Sequence, residues 1–111
     1  MAYTKTISIP TARGQVLVDL QQIIRIESIS NYSRIYFSNG NYPLTVARAL
    51  CRFEEILPAE HFIRIHRTHL VNKNFILEIN LGKKPSLSLI NGEIITISRR
   101  KKGVTHKLVA A

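Results

Sequence analysis

The chain has 111 residues, 45% of them hydrophobic, which is enough for a single domain over 1–111 that needs no disulfide or metal to fold. Sixteen Lys and Arg residues against seven Asp and Glu give a net charge of +9, and this excess predicts an anionic partner, nucleic acid before a membrane surface. One cysteine, no apolar run of about 20 residues and no signal-peptide pattern exclude a disulfide framework and a membrane helix, and indicate a cytoplasmic protein.

The first half of the chain alternates apolar and polar residues over short segments, the pattern of half-buried strands. In the segment 23–29 this alternation directs Ile24 and Ile26 inward and Arg25 and Glu27 outward or sideways. Asp19 is placed to cap a brief turn just before that segment. We expect strands over 3–9, 16–18, 23–29, 32–37 and 42–46, the last two joined by a two-residue hairpin turn at Asn39-Gly40.

The spacing of apolar residues changes to three and four in the segment 47–57, which predicts a short amphipathic helix. Leu50, Phe53 and Leu57 form its apolar face, and the proline that follows ends it. Cys51 lies in the same helix. We expect this cysteine to be packed rather than nucleophilic, because free cysteine is among the most buried residue types.

The second half contains further strands and ends in a run of cations. The segment 62–73 opens as a strand, with Ile63 and Ile65 on one side and Arg64 and His66 on the other. Strands are also expected over 75–81, 86–90 and 93–98, with turns at 82–85 and Asn91-Gly92 and with the cations of 99–102 directly after. The predicted fold is mainly β: packed antiparallel sheets of about nine to ten short strands, one short amphipathic helix and a C-terminal segment, 103–111, that can form a helix.

Residues that support catalysis or cofactor binding are scarce. Asp19 is the only aspartate, no pair of carboxylates suggests acid–base chemistry, and the glycines are scattered at turns instead of forming a phosphate loop. His66 and His69 stand three residues apart, with His61 and Cys51 upstream, but the paired ligand motifs of structural zinc sites are missing. The sequence therefore predicts neither an enzyme nor a metal or other cofactor.

Polar and cationic residues concentrate in three places: 30–34, 66–69 together with Lys73, and 99–102. In each place, side chains able to bond base edges stand beside cations able to hold phosphate. Taken singly, the three places also fit a polar loop at a hairpin end, an edge strand whose charges prevent aggregation, and a solvated charge run. Because all three occur in one chain of net charge +9, nucleic-acid binding is the better explanation.

Four motifs, in order, resemble the LytTR (LytR/AlgR-type) DNA-binding domain of bacterial transcription regulators, over about Val16 to Lys107. They are Ile26-Glu27 followed by Asn31-Tyr32; Leu44-Thr45-Val46 leading to a helix that ends at Leu57-Pro58; Phe62-x-Arg64-x-His66-Arg67-Thr68-x-Leu70-Val71-Asn72; and Ile97-Ser98-Arg99-Arg100. The third is the most specific, and Thr68 stands where the family usually has serine. In the first, Ser30 replaces a family glycine. The resemblance implies packed antiparallel sheets that send loops, not a recognition helix, into the major groove of DNA.

By position, the resemblance also implies roles for individual side chains. The base-facing residues are expected to be Asn31, Ser33, Arg34, Arg67 and Arg100. By the same resemblance, phosphate contacts are expected from Thr68, Arg99, Lys101 and Lys102. The polar places themselves add Tyr32, His66 and Lys73 as expected phosphate contacts. Leu70 and Val71 are interpreted as core residues that anchor the loop around Arg67, not as DNA contacts.

The function expected from this resemblance is sequence-specific binding of double-stranded DNA by a transcriptional regulator, at promoter direct repeats occupied by two copies. Only about fifteen residues precede the matching segment, so we expect no receiver domain and regulation through a separate protein or through abundance. One alternative is a basic protein-interaction module that modulates a fuller-length regulator. Another is an RNA-binding β-domain, although Tyr32, Tyr36, Phe37 and Phe62 form no paired stacking platform on one strand face.

Overall fold

The computed structural model describes residues 5–101 and 103, which form ten strands in three antiparallel sheets, one α-helix and three 3-10 turns. The predicted mainly β fold with one short helix is confirmed. The predicted C-terminal helix over 103–111 falls almost entirely outside the described residues. The elements are β1 (Thr6–Thr11), β2 (Gly14–Asp19), β3 (Ile23–Ile29), β4 (Tyr32–Phe37), β5 (Leu44–Val46), α1 (Leu50–Ile56), β6 (Phe62–His66), β7 (His69–Asn72), β8 (Ile76–Asn80), β9 (Ser86–Leu89), β10 (Ile94–Thr96) and 3-10 turns at Leu20–Gln22, Lys73–Phe75 and Arg99–Lys101.

The central sheet has five strands in the order β5-β4-β3-β7-β6. Two-residue turns join β3 to β4 and β6 to β7, and β3 runs antiparallel to β7 with Glu27 opposite His69. Because β3 ends where β7 begins, both turns lie at the same end of this sheet. The predicted strands therefore bring together two segments that are about 35 residues apart in the chain.

Each face of the five-stranded sheet packs against a different hydrophobic core. On one face, Ile26 and Leu70 pack with Phe53 of α1 and with the β1–β2 hairpin. On the other face, Ile65 and Val71 pack against the three-stranded sheet. Successive residues of a strand point to opposite faces, so the neighbouring residues Leu70 and Val71, both fully buried as predicted, serve the two cores separately.

The β1–β2 hairpin leads into the central sheet through the predicted capped turn. The carboxylate of Asp19 accepts a hydrogen bond from the Gln21 N–H at 2.9 Å, and Leu20 is buried in the first core. This confirms Asp19 as a cap, since its oxygen satisfies an amide that a short 3-10 turn leaves without a partner.

The three-stranded sheet has the order β10-β9-β8 and covers the β6–β7 side of the central sheet. Its last strand continues into Ile97, which is buried, and Ser98. The Ile97 N–H donates to the Pro85 carbonyl at 2.9 Å, and the Ser98 N–H donates to the Ile65 carbonyl at 2.8 Å. The chain is thus fixed to the central sheet immediately before the basic turn Arg99–Lys101.

The two Asn-Gly turns differ from the simplest hairpin geometry. The prediction of a two-residue turn at Asn39-Gly40 was wrong, because β4 ends at Phe37 and β5 begins at Leu44, which leaves a six-residue connection. The turn around Gly92 is confirmed, with its N–H donating to the Leu89 carbonyl at 2.9 Å. The φ angle of Gly92 is +93°, a value that glycine adopts without the steric penalty of other residues.

The helix begins later than predicted, and Cys51 is not packed. Residues 47–49 are not helical: the Ser33 hydroxyl donates to the Arg48 carbonyl at 2.6 Å, Ala49 is extended, and α1 starts only at Leu50. The apolar face of α1 turns inward as predicted, which leaves Cys51 exposed on the opposite side. The prediction that Cys51 is packed was therefore wrong.

Arg25 was predicted to face outward or sideways from the sheet, but it is buried, with 7% of its surface exposed. The β3–β4 register is irregular between Ile23 and Arg25, and such a bulge changes the faces to which residues point. As a result, both Ile24 and Arg25 face the three-stranded sheet, where Arg25 is paired with Glu93.

Candidate nucleic-acid interface

The β3–β4 and β6–β7 turns are neighbours in space. The Ser28 N–H donates to the Thr68 carbonyl at 2.9 Å, which extends the pairing of β3 and β7 as far as the turns. Asn31 in the first turn and Arg67 in the second are exposed. Two of the three polar places predicted from the sequence therefore form one continuous surface.

The third place, the basic turn Arg99–Lys101, joins the same surface. Its position follows from the Ser98 N–H bond to Ile65, one residue before the end of β6. Arg99 and Arg100 are exposed, whereas Lys101 is partly buried. Lys102 lies outside the described residues. We call the surface formed by the β3–β4 turn, the β6–β7 turn and the basic turn the cationic end of the molecule.

The β3–β4 turn takes its shape from a residue in the left-handed region. Ser30, the first residue after β3, has a φ of +57°. This conformation costs a non-glycine residue energy, and the sharp reversal that it produces leaves Asn31 and Tyr32 exposed at the tip. The side chain of Tyr32 is therefore accessible to a phosphate or a base.

Two residues predicted to face bases are held away from the tip. Ser33 is fully buried and its hydroxyl donates to the Arg48 carbonyl, so its assignment as a base-facing residue was wrong. Arg34 is half-buried, and its Nε donates to the Thr45 hydroxyl at 3.2 Å. Arg34 thus lies across the β4–β5 pair instead of at the turn.

The β6–β7 turn uses two of its predicted phosphate-binding side chains internally. The Nδ1 atom of His66 accepts from the Thr68 N–H at 3.2 Å, and the Thr68 hydroxyl lies 2.9 Å from the same nitrogen. A ring nitrogen that accepts an amide hydrogen bond carries no proton, which leaves the hydrogen of the neutral ring on Nε2. The two side chains therefore fix the turn, and Nε2 of His66 remains as a donor.

Arg64 braces the same turn, a role that the sequence did not reveal. Its Nε donates to the His66 carbonyl at 2.9 Å, and Nη2 donates to the Arg67 carbonyl. Its Nη1 is paired with the carboxylate of Glu54 in α1 at 2.7 Å. Because one guanidinium holds both carbonyls of the turn, the Arg67 side chain is left exposed in a fixed backbone frame.

Lys73, predicted as a phosphate contact, lies outside the cationic end. It begins the 3-10 turn after β7, at the opposite end from the β6–β7 turn, and its N–H donates to the His61 carbonyl. At about 3.3 Å per residue, the four steps from His69 place Lys73 roughly 13 Å from the turn.

An ionic cluster connects the two sheets beside the cationic end. The guanidinium of Arg25 grips both carboxylate oxygens of Glu93, with Nε–Oε1 at 3.2 Å and Nη2–Oε2 at 2.7 Å. It also lies 3.9 Å from the centre of the Tyr36 ring and 3.4 Å from a Glu27 oxygen. The hydrogen bond from Arg25 lowers the pKa of Glu93, so this carboxylate stays ionised and the pair persists at neutral pH.

The cluster borders an open cleft of about 560 Å³ between the sheets, in which His69 faces Glu27, Glu93 and His66. Burial lowers the pKa of the His69 imidazole, and Arg25 and His66 add to the shift while Glu27 opposes it. His69 is therefore neutral at physiological pH. Within residues 5–101 and 103, no group of three His, Cys, Asp or Glu side chains is arranged to hold a metal.

Three cations near the cationic end were not identified as candidate DNA contacts from the sequence. Arg48 lies two residues after β5, and its carbonyl is bonded by Ser33 near the start of β4, while its guanidinium lies 5.7 Å from the centre of the Phe53 ring. Lys83 and Lys84 lie in the turn before β9, whose first residue pairs with Thr96. Their proximity to the predicted residues depends on strand register, which neither their spacing nor their chemistry indicates.

An antiparallel β scaffold that gathers exposed arginines from separate turns at one end defines a nucleic-acid-binding domain. Comparison with protein families gives a match to the LytTR DNA-binding domain over residues 13–108. The chain belongs to the LytTR DNA-binding domain family, a non-catalytic family whose members bind DNA as transcription regulators.

Among solved structures, the chain is similar to the LytTr DNA-binding domain of a protein from Bacillus cereus described as a methyl-accepting/DNA response regulator. The two are 26% identical and superpose with a TM-score of 0.80, over 96% of this chain and 97% of the other. No curated protein matches the chain in sequence. Within the described residues, no helix is long and apolar enough to cross a membrane.

Proposed function

We propose that the cationic end binds double-stranded DNA sequence-specifically, with turns entering the major groove to read base edges. The observation that carries this proposal is the convergence of the β3–β4 turn, the β6–β7 turn and the basic turn, fixed by the Ser28–Thr68 and Ser98–Ile65 hydrogen bonds. Three independent turns on one rigid frame present their side chains at set separations, and a regular double helix has matching regular features.

The dimensions of the cationic end suit a duplex. Five strand ends at about 4.8 Å spacing form a row roughly 19 Å long, with the basic turn beside β6 at one end. The major groove is about 12 Å wide and one helical turn is about 34 Å long. The row therefore exceeds the width of the groove, so the central turns can enter it while residues at the two ends reach the flanking phosphates.

Side-chain chemistry divides the exposed residues into two roles. Arg67 and Arg100 suit the bidentate contact to guanine O6 and N7, and the Asn31 amide suits adenine. Arg99 and Lys101 of the basic turn, together with Lys102 and the half-buried Arg48, suit phosphate oxygens. The backbone around Arg67 is held by Arg64, which favours a defined direction for its side chain over a mobile positive charge.

Regulation in this proposal involves two copies of the domain on promoter direct repeats, with a separate protein as the source of any signal. A net charge of +9 makes two free copies repel each other. Association on DNA is favoured because the phosphates neutralise both copies. The proposal therefore expects one copy per repeat, and cooperation only when both repeats are present.

The test is a binding titration with labelled duplexes selected from the source genome, against random duplex and single-stranded competitors at two salt concentrations. We expect Arg67→Ala and Arg100→Ala each to remove about 1–3 kcal/mol of discrimination between selected and random duplex. Lys102→Ala should weaken the complexes with selected and with random duplex equally. It should also reduce the slope of log K against log salt by about 0.9.

Arg13→Ala is the matched control, since Arg13 is an exposed arginine in the β1–β2 turn, outside the cationic end. Its effect on discrimination should be negligible. Unchanged discrimination between selected and random duplex in the Arg67→Ala variant would contradict the assignment of base contacts to the β6–β7 turn. Equal affinity for single strands would favour the RNA-binding alternative.

A further inference from the structure

A second basic cleft, of about 510 Å³, lies next to the basic turn. One wall is the 82–85 turn that joins β8 to β9, and the other is the segment from Thr96 to Arg99. Thr96 is paired with Ser86 in the β9–β10 ladder, and the Ile97 N–H donates to the Pro85 carbonyl at 2.9 Å. The walls are therefore joined by backbone hydrogen bonds, and their separation is fixed.

The side chains that line this cleft are suited to an anion. Lys83, Lys84 and Arg99 supply three positive charges, and none of the lining residues is acidic. Hydroxyl donors are also present on the serines and the threonine of both walls. Cations combined with short hydroxyl donors are the groups that contact the phosphate oxygens of nucleic acids.

Two other clefts of the described chain carry less unbalanced positive charge. In the inter-sheet cleft, Arg25 is neutralised by Glu93 and lies beside Glu27. In the cleft at the start of α1, Arg52 is paired with Glu55 at 3.6 Å, so the lining has a net charge of only +1, from Arg48. An anion that approaches the molecule is thus attracted to the cleft at Lys83 and Lys84 more strongly than to these two.

We propose that this cleft binds the phosphate backbone of DNA outside the bases read by the three turns. The inference rests on the proposed function, since Arg99 belongs both to the cleft and to the basic turn. A duplex contacted by the basic turn passes beside the cleft, and a contact there adds affinity without sequence information. The ligand is a phosphodiester strand of the bound duplex.

The test is the double variant Lys83→Ala/Lys84→Ala, compared with wild type on selected and random duplexes across a range of salt concentrations. Both lysines are exposed in a turn, so the fold should be retained. Loss of two phosphate contacts should reduce the slope of log K against log salt by about 1.8. The ratio of affinities for selected and random duplex should stay unchanged.

Lys5→Ala/Lys73→Ala is the matched control, because it removes the same charge at the end of the molecule opposite the turns. Its salt slope should equal that of wild type. Ethylation interference locates the contact: the double lysine variant should lose sensitivity at one or two phosphates next to those that depend on Arg99.

Two results separate the possible failures. An unchanged salt slope and an unchanged interference pattern in the double lysine variant, with discrimination still dependent on Arg67, would overturn the cleft as a phosphate site and leave the proposed function standing. A wild-type protein that shows no preference among duplexes would overturn the proposed function itself.

Discussion

The five-stranded and three-stranded sheets contribute to one cationic end in different ways. The β3–β4 and β6–β7 turns belong to neighbouring strands of one sheet, and the strand pairing itself sets the distance between them. The basic turn belongs to the chain that leaves β10, in the other sheet. Its position depends on contacts between sheets: the second core, the Ser98–Ile65 hydrogen bond and the Arg25–Glu93 pair.

This difference indicates that the two parts of the surface respond to different substitutions. A change that loosens the contacts between sheets should displace Arg100 but leave Arg67 in place. A change inside the β6–β7 turn should do the opposite. Double-mutant cycles distinguish these cases, because two residues that act through the same structural unit have non-additive effects.

The largest effect is expected for Glu93→Gln, which leaves the buried guanidinium of Arg25 without its main partner. Removal of one member of a buried pair costs about 3–5 kcal/mol, and partial exposure of Glu93 reduces this to about 2 kcal/mol in the free energy of unfolding. Chemical denaturation measures this loss. In DNA binding, the effect of Arg100→Ala should shrink in the Glu93→Gln background, while the effect of Arg67→Ala persists.

Glu55→Gln is the control for Glu93→Gln, because it makes the same change of charge in an exposed pair with Arg52. It should alter the free energy of unfolding by less than about 0.5 kcal/mol. If Arg67→Ala and Arg100→Ala lose their effects equally in the Glu93→Gln background, the separation of the two sheets proposed above is wrong.

The converse prediction concerns Arg64→Met, which removes the brace of the β6–β7 turn and leaves two carbonyls and Glu54 without their donor. We expect a loss of about 1.5 kcal/mol in the free energy of unfolding, because the carbonyls lie near solvent and recover part of their hydrogen bonding. The Arg67-dependent discrimination between selected and random duplex should fall as well. The control is Arg52→Met, at an exposed pair, and an equal loss in that variant would contradict the brace.

Alternation along the chain was sufficient to predict most of the strands and their buried faces. Ile63 and Ile65 were correctly directed to one side and Arg64 to the other, because a period of two follows from strand geometry alone. The partners of Arg64 could not be predicted, since two are carbonyls whose orientation is set by the turn and the third lies in α1.

Arg25 shows a different limit of prediction from the sequence. Its burial depends on an irregular register in β3 and on Glu93, which is 68 residues away in the chain. A bulge shifts the alternation by one residue, and nothing in a run of isoleucines shows where the shift occurs. The proximity of Arg48, Lys83 and Lys84 to the cationic end likewise depends on strand order and register, which the sequence does not show.

A smaller effect is expected from pH, through His69 at the start of β7. Burial lowers the pKa of its imidazole below the ordinary value of about 6.5. Between the two pKa values the unfolded chain binds more protons. The stability that this residue contributes is therefore present above about pH 6.5 and is lost as the pH falls through the lower pKa of the folded state. Denaturation of wild type and His69→Gln between pH 5 and 8 measures the difference, and parallel pH profiles would contradict the prediction.

The smallest effect, and the only stabilising one, is expected for Ser30→Gly in the β3–β4 turn. The φ of +57° costs serine about 1 kcal/mol, and part of this gain is offset because glycine makes the unfolded chain more flexible. Denaturation should show an increase of about 0.5 kcal/mol. Ser88→Gly, in the extended strand β9, is the control and should destabilise, since there glycine brings only the loss of chain entropy. A loss of stability in both variants would show that the Ser30 hydroxyl, rather than its backbone angle, determines the turn.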